Sequence, residues 1–231
     1  SASNTVLLEM DEYDTRSYDA YYYWTVGNGF LQEAQQDSAI KYYEKSLEFD
    51  PRFKTSFKYK FIAFTQLISL RFPDIMYEGG YLRGSMEENY QLIEFFEYCK
   101  KLYNKQILSD EYLESLQVIL PFLYPRISSG YYELNNDTLK ALETALDGKR
   151  KFPDDYTIAY GYGYINYLIK DYNKALNAFD RALELNSDDI PSLMNLSVIM
   201  QDLGNWERVM EINKKRLDLE PNNYQVLRNL A

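Results

Sequence analysis

The chain has 231 residues, of which 46% are hydrophobic and 26% charged, and this composition is typical of a folded globular protein. It has no His, so it lacks the usual general base at neutral pH. It has one Cys, Cys99, and a single Cys can form neither an intrachain disulfide nor a thiolate metal cluster. The net charge of −10 argues against nucleic acid and favours neutral or basic protein partners, and no apolar run approaches the roughly 20 residues of a membrane span.

The chain opens with an acidic segment. It starts at Ser1 without an initiator Met, so we expect it to be processed or cut from a longer protein. Within residues 1–19 the acids are Glu9, Asp11, Glu12 and Asp14, whereas residues 54–71 carry bases and no acid: Lys54, Lys58, Lys60 and Arg71. We predict that the acidic segment docks on that basic helix or competes there with an acidic partner, with a frayed terminus as the open alternative.

Residues 20–51 share a pattern with residues 154–187. In each, a Gly precedes an Ala by 12 residues, and the Ala is followed by an aromatic residue and then by a small one; the residues are Gly27, Ala39, Tyr43 and Ser46, and then Gly163, Ala175, Phe179 and Ala182. This pattern resembles the tetratricopeptide repeat, a hairpin of two antiparallel helices. Small residues let the two helices approach closely, and the aromatic residue fills the gap to the next hairpin.

The middle of the chain, residues 52–121, fits the repeat poorly but still has helical periodicity. Phe57, Phe61, Phe64 and Ile68 predict a helix over 53–71, and further helices are expected at about 86–104 and 109–120. Residues 78–84 are predicted to be a Gly-rich turn, because the strand and the Lys-Ser/Thr pair of a phosphate-binding loop are missing. Cys99 lies in an apolar run and is expected in the core.

Three further units follow: a degenerate repeat at 122–153, with Ser129, Ala141 and Pro153, and repeats at 154–187 and 188–221. From Pro153 to Ser187 and from Ser187 to Pro221 the spacing is 34 residues, the period of the family. In the last repeat Asn213 and Arg216 replace the aromatic and the small residue. Asp155, Asp189 and Asn223 are expected N-caps, the last of a further or capping helix at 222–231.

The resemblance implies an all-α fold, a right-handed superhelical array of antiparallel helix hairpins with a divergent helical middle. Members of the family bind ligands on the concave surface lined by the first helix of each hairpin. Projected onto this chain, that rule gives as partner-binding residues Tyr21, Trp24, Asn28, Tyr160, Tyr164, Tyr167, Met194, Asn195 and Val198. The alternative is that several of these Tyr side chains pack only against neighbouring hairpins.

The sequence therefore predicts a protein-interaction module, an adaptor, chaperone or assembly factor that holds a polypeptide in an aromatic groove. No catalytic group, metal or cofactor is expected. Two other functions remain open, a recruiting or regulatory domain of a larger enzyme and, against the net charge, an RNA-associated repeat. The sequence leaves open the oligomeric state and the compartment, which is cytoplasmic or, if an export signal was removed, periplasmic or secreted.

Overall fold

The computed structural model describes residues 15–48, 54–72, 82, 87–105, 110–223 and 226. These residues form ten helices and no strand, so the all-α prediction is confirmed for them. The chain divides into two compact units, residues 1–83 with 87–118 and residues 84–86 with 119–231. The bounds are α1 Thr15–Gln32, α2 Gln36–Leu47, α3 Lys54–Arg71, α4 Tyr90–Lys105, α5 Asp110–Glu133, α6 Thr138–Lys151, α7 Tyr156–Leu168, α8 Tyr172–Leu185, α9 Ile190–Asp202 and α10 Trp206–Leu219.

The first unit has an aromatic core between α3 and α4. The Phe95 ring packs against Phe64 at a centroid distance of 5.2 Å and against Phe61 at 6.4 Å. Ile68 is also fully buried, as its helical spacing predicts, while the side chain of Phe57 lies outside the described set. Cys99 is buried in the same core, and burial raises the pKa of its thiol, so the prediction of a core cysteine is confirmed.

Helix α5 is longer than the sequence predicts. The sequence pattern places its end near residue 120, but the helix continues to Glu133 through Pro121 and Pro125. A proline inside a helix lacks the N–H that would bond the carbonyl four residues earlier. Pro125 therefore leaves the Pro121 carbonyl without its helical donor, and the Thr157 hydroxyl of α7, which also contacts the Asp155 carboxylate, lies 3.3 Å from that oxygen. The continuous burial of Leu116, Leu120, Leu123 and Ile127 favours one long helix over a break.

The turns between the two helices of each hairpin repeat at the family period. Ala34, Asn136, Lys170 and Gly204 all have positive φ angles, between 51° and 69°. The last three lie 34 residues apart, and Ala34 precedes Asn136 by three such periods. A residue in this left-handed conformation commonly ends a helix and reverses the chain. The turn at Asn136, between α5 and α6, is therefore in phase with the turns at Ala34, Lys170 and Gly204.

Side chains cap the helices of the second unit where the sequence predicts caps. The Asp155 carboxylate accepts hydrogen bonds from the backbone N–H groups of Thr157 and Ile158 at 2.8 and 3.1 Å. Asp189 accepts from Ser192 N–H at 3.0 Å, and Asn223 accepts from Val226 N–H at 3.3 Å. These bonds satisfy donors that a helix N-terminus leaves unpaired, so the three predicted caps are confirmed.

Glycines permit the close contacts of the second unit. A Cβ atom on Gly163 would lie 2.8 Å from the Phe179 ring and 3.2 Å from Ala178, so these residues are nearer than the expected Ala175. A Cβ atom on Gly161 would lie 2.7 Å from the Pro125 side chain and 3.1 Å from its Cα. Because that neighbour is partly backbone, it has little freedom to shift. Helix α7 thus fits against α5 and α8 only with glycine at these two positions.

Two alanine substitutions are expected to change stability in opposite directions. Gly29→Ala should raise the free energy of unfolding by about 1 kcal/mol, because nothing lies within 4 Å of the added methyl group and Ala favours a helix. Gly161→Ala gains the same propensity, but overpacking against Pro125 costs about 2 kcal/mol, so a net loss of about 1 kcal/mol is expected. Urea denaturation followed by circular dichroism measures both, and a gain in both proteins would contradict the Pro125 contact.

Candidate functional site

Positions 34 residues apart define one face on the first helices of the second unit. Along α5, α7 and α9 the equivalent sets are Arg126, Tyr160 and Met194, then Gly130, Tyr164 and Val198, then Glu133, Tyr167 and Gln201. Five of these residues form the surface that we call the tyrosine face: Glu133, Tyr160, Tyr164, Met194 and Val198. Six of the nine predicted binding residues lie on α7 and α9, in this unit.

Two tyrosines form the centre of the tyrosine face. The rings of Tyr160 and Tyr164 stack at a centroid distance of 6.1 Å with 16° between their planes. The Tyr160 ring also packs against the buried Phe179 ring, with 6.0 Å between the ring centroids. The Tyr164 hydroxyl donates a hydrogen bond to the Glu133 carboxylate at 3.0 Å. Both side chains are half-buried. The core and the carboxylate therefore fix the orientation of two rings that remain partly open to solvent.

Two aliphatic side chains on α9 complete the apolar part of the face. Met194 is 44% exposed and Val198 is 40% exposed. Asn195, the third predicted residue on α9, uses its side-chain N–H to bond the carbonyl of Pro191 at 2.9 Å. Its amide nitrogen thus already has a partner within its own helix.

Tyr167 serves the core more than the surface. It packs against the cluster of buried residues centred on Phe179, and its ring lies 6.2 Å from that of Tyr172. Tyr160 touches the same cluster, so it has both a packing role and a partly open ring. The ring contacts of both tyrosines lie within their own hairpin, since Phe179 and Tyr172 belong to α8, while the cluster that both touch also includes residues of α9 and α10.

Two neighbours of the predicted residues, Glu133 and Arg126, were not predicted from the sequence. Glu133 is exposed and accepts the Tyr164 hydrogen bond, whereas the Arg126 guanidinium stacks on the Phe122 ring at 3.5 Å and donates to the Phe122 carbonyl. Both lie 34 residues before a predicted tyrosine, Glu133 before Tyr167 and Arg126 before Tyr160. Applying the repeat register to the degenerate unit would have found them.

The other three predicted binding residues lie in the first unit, and two of them, Trp24 and Asn28, are linked through Gln66 of α3. The Trp24 indole donates to the Gln66 side chain at 3.1 Å, and the Gln66 amide donates to Asn28 Oδ1 at 3.1 Å. The Tyr43 hydroxyl donates to the same oxygen at 2.8 Å. A ligand would therefore meet Asn28 through its amide nitrogen. Tyr21 lies beside Trp24 with a ring distance of 5.7 Å.

Some sequence predictions concern residues outside the described ranges. The acidic segment Glu9–Asp14 and most of the Gly-rich turn at 78–84 belong to these, as do the side chains of Lys54, Lys58 and Lys60. The proposed docking of the acidic segment on the basic helix therefore stays a prediction. Among the helices that the structure describes, none combines the length and the apolar character needed to cross a membrane.

Comparisons with known proteins agree with this architecture. The family model described as tetratricopeptide repeat matches residues 20–53 and 156–189. No curated protein matches the chain. Among solved structures, a tetratricopeptide repeat protein from Parabacteroides merdae ATCC 43184 is 14% identical with a TM-score of 0.58, and the alignment covers 92% of this chain and 71% of that one.

Two further solved structures are similar over nearly their whole length. YrrB, described as a repeat protein of this type with an unusual peptide-binding site, is 15% identical with a TM-score of 0.52, covering 99% of this chain and 97% of that one. MamA from Desulfovibrio magneticus RS-1, residues 41 to its end, is 14% identical with a TM-score of 0.53, covering 89% and 97%. At such low identity the likeness establishes the fold. The chain therefore has the fold of these tetratricopeptide repeat structures, and the model of that family matches it at residues 20–53 and 156–189.

Proposed function

We propose that this protein is an interaction module that holds a polypeptide partner on the tyrosine face. The observation that carries the proposal is the stacked pair of Tyr160 and Tyr164, held in place from below by Phe179 and from the side by Glu133. Half-buried tyrosines that are already oriented lose little conformational entropy on binding, so they are effective anchors. Repeats of this family are in general scaffolds for interaction rather than catalysts.

The chemistry of the tyrosine face favours a segment with apolar and basic side chains. Met194 and Val198 offer exposed aliphatic surface on α9, at positions 34 residues after Tyr160 and Tyr164. The faces of tyrosine rings attract cations, and the exposed Glu133 carboxylate adds a negative charge at their edge. The net charge of −10 favours the same class of partner over an acidic one. An extended or helical segment with Lys or Arg beside apolar residues suits this surface.

Peptide selection tests the proposal. A random peptide library displayed on phage is panned on the purified protein, and the enriched peptides are synthesised and titrated by fluorescence anisotropy. The double substitution Tyr160→Ala with Tyr164→Ala is expected to weaken binding at least tenfold, because each anchor contributes more than about 1 kcal/mol. Glu133→Gln is expected to reduce the preference for basic over neutral peptides while leaving apolar binding in place.

The matched control is Tyr90→Ala, which removes an exposed tyrosine from α4 in the first unit. It should leave the affinity unchanged. Circular dichroism of each variant separates lost binding from lost folding. Equal affinity for the wild type and the double variant would show that the tyrosine face is not the binding surface.

A further inference from the structure

A cavity of about 490 Å³ opens between α8, α9 and α10, and none of its lining residues belongs to the tyrosine face. Its floor is aliphatic and consists of Leu183, Leu193, Leu196 and Ile212. Its rim is charged, with Asp180 and Glu184 from α8 and Arg208, Glu211 and Lys215 from α10. The size lies within the usual range of ligand-binding pockets, and an apolar floor with a few polar groups at the rim is their usual lining.

The preceding repeat fills the equivalent space with one of its own side chains. Leu196 in the cavity corresponds to Tyr162, 34 residues earlier, and the Tyr162 ring is 8% exposed. The ammonium group of Lys149 lies over that ring, 4.2 Å from its centroid. The positions equivalent to Lys149 and Tyr162 are thus the aliphatic Leu183 and Leu196. The cavity exists where the other repeat places an aromatic ring covered by a cation.

The charges at the rim do not satisfy one another fully. Glu184 pairs with Arg181 at 3.0 Å, and Glu211 pairs with Arg208 at 2.6 Å. Asp180 makes no hydrogen bond or ion pair with any residue that the structure describes. Burial by neighbouring protein atoms raises the pKa of its carboxyl, and this effect exceeds the opposing attraction of Arg208. Asp180 is exposed at the rim, so a cation can reach its carboxylate from solvent.

We infer that this cavity is a second binding site, which takes an aromatic side chain next to a basic one from a protein partner. The ring occupies the space that Tyr162 fills in the preceding repeat, against Leu193 and Leu196. The basic group then pairs with Asp180 at the rim. The cavity shares no lining residue with the tyrosine face, so one chain can contact two partner segments at once.

Capped dipeptides test the inference through two-dimensional amide NMR of the intact protein. The probe is N-acetyl-tyrosyl-lysine amide, and the comparison peptides replace its lysine by glutamate or its tyrosine by alanine. The probe is expected to shift the amide signals of α8, α9 and α10 around the cavity and to bind at least fivefold more tightly than either comparison peptide. Equal binding of all three dipeptides, or no shifts at the cavity, would overturn the inference.

Two substitutions locate the binding. Asp180→Asn should weaken binding of the probe about fivefold, whereas Asp202→Asn, an exposed acid at the end of α9, should leave it unchanged. Leu196→Tyr should abolish binding by filling the cavity as Tyr162 fills its counterpart. If the Leu196→Tyr protein fails to fold, the Asp180→Asn variant still tests the inference. Unchanged affinity in Asp180→Asn would contradict the assigned role of the carboxylate.

Discussion

Truncation of Phe179 to Ala is expected to lower the free energy of unfolding of the second unit by about 3–5 kcal/mol. The Phe179 side chain is fully buried in a cluster with Ala175, Leu193, Leu196, Ile199 and Ile212. It bridges two hairpins, because α8 belongs to one and α9 and α10 to the next. Removing the ring loses its burial and leaves a cavity that the surrounding helices cannot close. Since Tyr160 packs on the same ring, the tyrosine face loses support as well.

Urea denaturation compared with Leu139→Ala provides the measurement and its control. Leu139 is 69% exposed on α6, so its truncation should change stability by less than about 0.5 kcal/mol. Because stability in repeat arrays is a sum of local terms, amide hydrogen exchange should show the loss first in α8 to α10. A Phe179→Ala protein as stable as the Leu139→Ala protein would contradict the central place of this ring.

Asn213→Phe, which restores the usual aromatic residue to the last repeat, is expected to destabilise the protein by about 3 kcal/mol. Asn213 is fully buried at the position of Phe179, and Ser197 stands where Gly163 stands in the previous repeat. A Cβ atom at Gly163 would approach the Phe179 ring to 2.8 Å, so the Cβ of Ser197 should crowd a new ring at 213 in the same way. The change also removes the oxygen that accepts a bond from the Arg216 guanidinium at 3.3 Å.

Adding Ser197→Gly is expected to recover about 2 kcal/mol of that loss, although Ser197→Gly alone should destabilise the helix slightly. The two positions are therefore predicted to be coupled. A double-mutant cycle from urea denaturation measures the coupling directly. If the two effects add to within about 0.5 kcal/mol, the steric explanation for the polar residues at 197 and 213 fails.

The polar core of the last repeat explains why the family pattern is weaker there. Ser197 donates to Asn213 at 3.4 Å and Arg216 donates to the same oxygen at 3.3 Å, all three being buried. Arg216 Nε and Asn213 Nδ2 have no acceptor among the residues that the structure describes. Burial lowers the pKa of the Arg216 guanidinium, against the attraction of Glu220. Ser197, Asn213 and Arg216 thus form one buried polar group. The equivalent positions 34 residues earlier are the apolar Gly163, Phe179 and Ala182.

The repeat register could be predicted from the sequence because a few residues with strict steric roles define it. Gly27 and Gly163 must lie against an aromatic ring, and the positive-φ turn residues fix the phase of each hairpin. The length of α5 could not be predicted in this way. Pro121 and Pro125 are local signals that end a helix, whereas the Thr157 hydroxyl and the buried leucines that keep it intact come from distant contacts.

The candidate site was predictable in part for the same reason. Tyr160 and Tyr164 lie on α7, and Met194 and Val198 lie on α9, as the helix bounds show, while their use in binding stays a proposal. It does not reveal that Gln66 of α3 bridges Trp24 and Asn28, since that contact joins residues 42 and 38 positions apart. Hydrogen bonds of that kind depend on the packing of whole helices rather than on spacing within one.

The evenly spaced turn residues have a consequence for engineering the array. A segment that starts at Lys170 and stops before Gly204 begins and ends at the same point of the hairpin, with the chain reversed at φ angles of 65° and 69°. Such a segment is a cassette whose two junctions have matching backbone geometry. Tandem duplication of the cassette would therefore join without a new bend, and each copy would bring its own first-helix surface. The turn residues with positive φ are thus the positions at which this protein can be lengthened or joined to other repeat arrays of the same period.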